Sequence, residues 1–192
     1  MAVVKVNVLK ITDMSQPEFI GGYMLRTIMI FPQFDNIEVI NSIREKYDPL
    51  AKVVRPHITL VFPFDSEITN NQLEVALNSC VNEKSFEIVM HGFSKQVDRF
   101  GNYLFLDMEK GNDIVENLHN KLYKEHFKAY DWGLPYKPHI TVGKMDDTQA
   151  LNKAFESISG IDDRFRAVID KISVEMIGEN EESIIVIEKK LF

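Results

Sequence analysis

Two short segments of the chain carry the same pattern, Pro-His-Ile-Thr, at Pro56–Thr59 and Pro138–Thr141. Each motif lies in a short apolar run of the kind that forms a β-strand. Side chains alternate between the two faces of a strand, so His57 and Thr59 share one face while the intervening isoleucine points to the other. The second motif follows the same alternation. The sequence therefore predicts two His–Thr pairs, each presented on one side of a strand.

Two such pairs facing one cleft are suited to phosphoryl chemistry. Imidazoles exchange protons near neutral pH, so His57 and His139 are the candidate general acid and base, each contributing roughly 10²–10⁴-fold. The hydroxyls of Thr59 and Thr141 suit the non-bridging oxygens of a phosphate. One histidine takes a proton from water, and the other gives a proton to the leaving oxygen on the opposite side. This chemistry requires no metal ion or cofactor, and the symmetric motifs leave open which histidine is the acid.

Residues next to the motifs are candidate substrate contacts. Arg55 and Lys137 each precede a Pro-His pair, where a cation can help to neutralise a phosphate; a solvated loop charge is the alternative. Tyr136, together with Trp132, comes just before the second motif and can stack on a nucleobase. Packing in the core explains these aromatic residues equally well.

The remaining histidines and the single cysteine do not predict a metal site. His119 and His126 are seven residues apart on one predicted helix, which is not the spacing of a helical zinc pair, so we interpret them as helix-surface or partly buried residues. His91 has no threonine two residues later. Cys80 is the one cysteine, which excludes an internal disulfide and a cysteine-based zinc site and fits a reducing compartment.

Length and charge limit the functional classes. The 192 residues suit one domain, or two small lobes that share a core. The formal net charge of −7 argues against coating nucleic acid by bulk electrostatics, so an RNA partner would be held by one end or one nucleotide. No run approaches the roughly 18 apolar residues of a membrane span. We expect a cytoplasmic protein without a membrane partner; its oligomeric state is open, with a monomer favoured.

The elements that position the motifs recur along the chain. A predicted order of strand, helix, strand, helix and strand fills about residues 21–98 and is repeated over about 99–192. Corresponding residues lie 80, 82 and 79 positions apart, in the pairs Tyr23 and Tyr103, His57 and His139, and Phe86 and Phe165. We therefore predict an α+β fold over residues 1–192, a single bilobal domain. Its two pseudo-symmetric β-α-β-α-β lobes have antiparallel sheets and outer helices around a central cleft.

The sequence also makes predictions for three particular segments. Residues 1–20 form an N-terminal extension with a short strand over residues 4–8. Pro63 is predicted to end the strand of the first motif. Phe165–Ile177 is predicted to be one strand.

The paired His-x-Thr-hydrophobic motifs in a duplicated α+β chain resemble the two-histidine (2H) phosphoesterase superfamily, nearest to its 2′-5′ RNA ligase-like and cyclic phosphodiesterase branches. In that family the motif histidines are the acid and the base, and the threonines bind the phosphate. The resemblance implies these roles for His57, His139, Thr59 and Thr141. It also implies hydrolysis of 2′,3′-cyclic phosphates on nucleotides or RNA termini, or a related 2′-5′ ligase-like reaction, with neither cofactor nor metal.

Two other interpretations stay open. The chain could be a module that binds RNA ends or nucleotides with little or no turnover. It could also be a structural duplicate whose histidines are buried and bind nothing. The sequence does not identify the physiological substrate or the 2′- versus 3′-phosphate product.

Overall fold

Eight strands and four α-helices make up the part of the chain that the computed structural model describes, residues 24–178 and 182–192. The predicted extension 1–20 and its strand over residues 4–8 lie outside the described residues. The strands are β1 (Met24–Ile30), β2 (Ile58–Ser66), β3 (Phe86–Asp98), β4 (Gly101–Lys110), β5 (His139–Met145), β6 (Phe165–Ile169), β7 (Lys171–Ile177) and β8 (Ser183–Lys190). The helices are α1 (Ile37–Tyr47), α2 (Asn70–Cys80), α3 (Asn112–Leu122) and α4 (Thr148–Ile158). A π-helical turn (Tyr123–Phe127) and a 3₁₀ turn (Lys128–Tyr130) follow α3.

The strands form two four-stranded antiparallel sheets, in the orders β2-β1-β7-β8 and β5-β4-β3-β6. The two motif strands, β2 and β5, are the edge strands at which the sheets approach each other, with Cα atoms within 8 Å. Helix α1 packs against β5 and helix α3 against β2, so each helix supports the motif strand of the other sheet. The predicted α+β class with antiparallel sheets and packed helices is confirmed.

The sheets are not built from consecutive halves of the chain. Strand β3, from the first half, lies between β4 and β6, whereas β7 and β8 complete the sheet of β1 and β2. The prediction of one strand over Phe165–Ile177 is therefore wrong. The strand is interrupted at Asp170, where the chain passes from one sheet to the other. Strand β6, before this residue, pairs with β3, and strand β7, after it, pairs with β1. The lobe boundary near residue 98 and the single bilobal domain stay predictions.

Pro63 does not end the first motif strand, contrary to the sequence prediction. Strand β2 continues to Ser66. Proline is tolerated in an edge strand because its missing N–H can face away from the ladder. The ladder with β1 also shifts register here, between the partners of Arg26 and Ile28, so the proline lies at an irregularity.

The helices begin and pack as their sequences dictate. Thr69 and Gln72 form a capping box at the start of α2. Leu73 and Leu77 of that helix are fully buried, and burial of such a side chain contributes roughly 1.5–3 kcal/mol. Each of the four α-helices has 11 residues, and none in the described part of the chain is long and apolar enough to cross a bilayer.

Candidate active site

Both motifs lie at the beginning of an edge strand. His57 immediately precedes β2, and His139 is the first residue of β5. Ile58 and Ile140 are fully buried, whereas the histidines and threonines on either side of them are half-buried. This burial follows the alternation expected of a strand. In each motif the isoleucine fixes the strand to the core and leaves the histidine and threonine on the other face.

A β-bulge follows the threonine in both motifs. In the β1–β2 ladder, β2 advances two residues for one on β1 directly after Thr59, which leaves Leu60 without an opposing partner. The β4–β5 ladder does the same after Thr141 and leaves Val142 unpaired. Both unpaired residues are fully buried. A bulge bends its strand and increases the local twist, so the two motif strands share the same distortion beside their polar side chains.

The two imidazoles make matching hydrogen bonds. Nδ1 of His57 lies 2.8 Å from the carbonyl oxygen of Arg55, and Nδ1 of His139 lies 2.7 Å from that of Lys137. A carbonyl oxygen only accepts, so in each ring Nδ1 carries the hydrogen and donates. In the neutral imidazole, Nε2 is then left with a free lone pair. Each motif thus holds its histidine in the tautomer that can accept a proton at Nε2.

Burial lowers the pKa of both imidazoles and so favours their neutral forms. It lowers the pKa of His57 to about 4, with smaller contributions in the same direction from Arg44 and His139. Burial also lowers the pKa of His139, while the carboxylate of Asp107 acts in the opposite direction. The surroundings of the two histidines are therefore electrostatically unequal, although their hydrogen bonds match.

Each imidazole has an aromatic neighbour. The ring of Phe105 stacks on His139 with centroids 3.7 Å apart and planes 25° apart. The ring of Phe31 lies 5.9 Å from that of His57 and is tilted by 57°. The guanidinium of Arg55 in turn lies 4.6 Å from the centre of the Phe31 ring. These contacts restrict the orientation of both imidazoles.

Asp107 is a functional candidate that the sequence reasoning missed. It pairs with His139 across the β4–β5 ladder. Its Oδ1 accepts hydrogen bonds from Nζ of Lys137 and Oγ of Ser94, each at 2.8 Å. The charge of Lys137, a predicted substrate contact, is thus used in an ion pair within the protein. The available signal was an acidic residue inside the otherwise apolar run Tyr103–Met108, but nothing in the sequence aligns that run with the second motif.

Tyr136, another predicted substrate contact, is bonded to the backbone of the first motif. Its hydroxyl donates to the carbonyl oxygen of Thr59 at 2.8 Å. Its ring stacks on His119 with centroids 3.5 Å apart and planes 5° apart. His119 is buried and its Nδ1 lies 2.8 Å from the carbonyl oxygen of Leu60. Tyr136 and His119 therefore support β2 together, which is a positioning role for a histidine that the sequence analysis set aside.

The loop before the second motif also packs on β2 through Trp132. Its ring stacks on Phe62 with centroids 5.2 Å apart and planes 12° apart. The ring of Phe100 lies against the same indole, also at 5.2 Å. Of the two alternatives for Trp132, packing in the protein and stacking on a nucleobase, the structure shows packing.

A polar cavity of about 350 Å³ lies beside the first motif. Its lining residues combine two cations with neutral hydrogen-bonding groups, one carboxylate and an aromatic ring, and they are Phe31, Gln33, Arg55, Asp170, Lys171 and Ser173. Arg55, one of the three predicted substrate contacts, lines this cavity. This cavity is large enough for a phosphate or a nucleotide fragment.

Comparison with known sequences gives a family match that includes both motifs. A sequence model described as the 2′-5′ RNA ligase superfamily matches residues 32–179. A candidate phosphoesterase of Geobacillus kaustophilus is 28% identical over 158 residues, covering 80% of this chain and 88% of that protein. A candidate phosphoesterase of Bacillus mycoides is 29% identical over 123 residues, covering 61% of this chain and 67% of that protein.

Solved structures show the same fold at low sequence identity. Escherichia coli LigT in complex with 3′-AMP superposes with a TM-score of 0.63 at 14% identity, covering 88% of this chain and 98% of LigT. TT0787 of Thermus thermophilus superposes with a TM-score of 0.55 at 14% identity, covering 87% and 97% of the two chains. At these identities the likeness concerns the arrangement of the sheets and helices.

Proposed function

Because this chain belongs to the 2′-5′ RNA ligase superfamily of 2H phosphoesterases, we propose that it is a metal-independent cyclic phosphodiesterase. Its substrates are 2′,3′-cyclic phosphates of RNA termini or nucleotides, and its catalytic groups are His57 and His139. The observation that supports this proposal most directly is the matched pair of Nδ1–H···O=C hydrogen bonds on two adjoining edge strands. They leave two Nε2 atoms as proton carriers in one region of the molecule. The complex of LigT with 3′-AMP is compatible with a nucleotide substrate.

The reaction needs one proton taken and one proton given. Nε2 of the base histidine takes a proton from water while the water oxygen forms a bond to phosphorus. The bond from phosphorus to one ribose oxygen breaks, and Nε2–H of the acid histidine protonates that oxygen. The hydroxyls of Thr59 and Thr141 bind the non-bridging oxygens. The anionic cyclic phosphate raises the pKa of both imidazoles, which allows the acid to be protonated when substrate is bound.

The unequal surroundings favour His139 as the acid and His57 as the base. At His139 the carboxylate of Asp107 raises the pKa by more than its ion-pair partner Lys137 lowers it, which favours the imidazolium. At His57 the guanidinium of Arg44 lowers the pKa by more than its ion-pair partner Asp48 raises it, which favours the neutral ring. Asp107 is in this scheme a positioning residue that acts through His139.

Hydrolysis of a panel of nucleoside 2′,3′-cyclic phosphates and a short RNA ending in one tests the proposal, with excess chelator present. Turnover is expected to resist the chelator and to fall by roughly 10²–10⁴-fold in both His57→Ala and His139→Ala. His91→Ala is the matched control, because this histidine bonds to Asp162 outside the motifs. Near-normal rates in either motif variant would remove that histidine from the mechanism. Binding of a 2′- or 3′-phosphorylated nucleotide without any turnover would favour the nucleotide-binding module instead.

A further inference from the structure

Three side chains with metal-binding atoms converge where α2 ends against the π-helical turn after α3. They are Cys80, the last residue of α2, and Glu125 and His126 in the turn. The thiol sulfur, a carboxylate oxygen and a ring nitrogen all lie within 4.8 Å of one another, and this is the one such group of three among the described residues. π-helical turns occur frequently at functional sites.

The separations suit a tetrahedral zinc ion. Sγ of Cys80 lies 3.4 Å from Oε2 of Glu125. In a tetrahedral site with Zn–S near 2.3 Å and Zn–O near 2.1 Å, the sulfur and the oxygen are about 3.6 Å apart. The thiol and the carboxylate are therefore already spaced as two ligands of one ion. His126 is exposed and can close the remaining distance by a side-chain movement.

Hydrogen bonds hold the cluster from both sides. Oγ of Ser79 donates its hydrogen to the carbonyl oxygen of Ala76, so it accepts Nε2–H of His126 at 2.8 Å. This bond orients the ring and leaves the lone pair of Nδ1 for a metal ion. Nζ of Lys121 donates to the carbonyl oxygen of Cys80 at 2.7 Å. The positive charge of Lys121 disfavours a bound cation. The two negative charges of the Glu125 carboxylate and of the thiolate that Cys80 forms on binding favour the cation and exceed that single charge.

We propose that Cys80, Glu125 and His126 bind one Zn²⁺ ion, with water as the fourth ligand. This proposal replaces the sequence prediction that a single cysteine excludes a zinc site, because Glu125 and His126 come next to Cys80 only in the folded chain. Binding replaces the thiol proton, which is released to solvent, and no electron transfer is involved. A set of one sulfur, one nitrogen and one oxygen ligand favours Zn²⁺ over Mg²⁺ or Ca²⁺, which prefer oxygen ligands alone. The ion joins α2 to the turn that contains Tyr123, whose hydroxyl oxygen accepts the N–H of Phe62 at 3.0 Å in the first motif strand. The proposed ion therefore acts on the packing of α2 against this turn, and the site shares no residue with the proposed catalytic histidines.

Metal titration of the chelator-treated full chain tests this site. Calorimetry with Zn²⁺ is expected to show one ion bound per chain and a rise in Tm. Co²⁺ as a substitute is expected to give a thiolate-to-cobalt charge-transfer band, which can come only from Cys80 because the chain has no other cysteine. His126→Ala and Cys80→Ser should each weaken Zn²⁺ binding by at least tenfold.

His126→Ala keeps the test decisive if Cys80→Ser destabilises the fold, since His126 is exposed and its loss leaves the core intact. His91→Ala is the control for a general loss of histidine and should bind Zn²⁺ as the wild type does. The proposal is refuted if the wild type binds no Zn²⁺ at one to one. It is equally refuted if His126→Ala binds as tightly as the wild type, or if the cobalt complex lacks the thiolate band.

Discussion

The lowered pKa of His57 predicts how stability depends on pH, and His57→Gln isolates this contribution. The folded protein holds this imidazole neutral, with a pKa of about 4, whereas an unfolded histidine has a pKa near 6.5. The unfolded state therefore binds more protons between these two values. The stabilisation is fully present above about pH 6.5 and is lost as the pH falls toward 4.

The size of the effect follows from the two pKa values. At pH 5 the unfolded histidine is almost fully protonated and the folded one almost fully neutral, so protonation favours unfolding by about 2 kcal/mol. At pH 7.5 both states are neutral and the contribution is close to zero. His139 and His119, whose pKa values are also lowered by burial, act in the same direction in both proteins. The difference between the wild type and His57→Gln therefore isolates His57.

Urea unfolding of both proteins at pH 5 and pH 7.5, without phosphate, measures this difference. The wild type should lose about 2 kcal/mol more than His57→Gln between the two pH values. An NMR titration of the His57 imidazole gives a direct check, with an expected midpoint of about 4. Equal losses in both proteins, with a midpoint close to that of an unfolded histidine, would refute the burial of this imidazole in its neutral form.

Three further substitutions test the supports of the site. Tyr136→Phe removes a hydrogen bond to the first motif strand and should lower the free energy of unfolding by about 1 kcal/mol in urea unfolding; an unchanged midpoint would contradict this. Asp107→Asn should lower the pKa of His139, so the basic limb of the kcat/KM profile should move to lower pH; an identical profile would remove Asp107 from the mechanism. Gly143→Ala places a Cβ 2.9 Å from Cβ of Tyr47 and should lower the free energy of unfolding by roughly 1–3 kcal/mol. The Tm should therefore decrease, and an unchanged Tm would show that the methyl group is tolerated.

Features of the site that depend on residues close together in the sequence could be predicted from it. Alternation alone placed Ile58 and Ile140 in the core and left a histidine and a threonine on the other face of each strand. The capping box at Thr69 was readable for the same reason, since it depends on residues three positions apart. The α+β class followed from the repeated order of strands and helices.

Contacts between distant segments could not be read in this way. Asp107 faces His139 because of the register of two strands that are about 30 residues apart, and no local pattern sets that register. His119 and Tyr136 stack because α3 and the loop before β5 meet on β2. Pro63 was misread because its effect depends on β2 being an edge strand, which is a property of the whole sheet.

The exchange of strands between the two halves has a consequence for how the chain folds. Arg26 of β1 pairs with Met176 of β7, 150 residues further along the chain (176 − 26 = 150). The centre of the first sheet therefore cannot form until most of the polypeptide has been synthesised, and such non-local pairing slows folding. The second sheet likewise needs β3 from the first half. Two fragments cut near residue 98 would each lack a central strand of their sheet, so we expect them to fold only when mixed, as complementing halves of one cooperative unit.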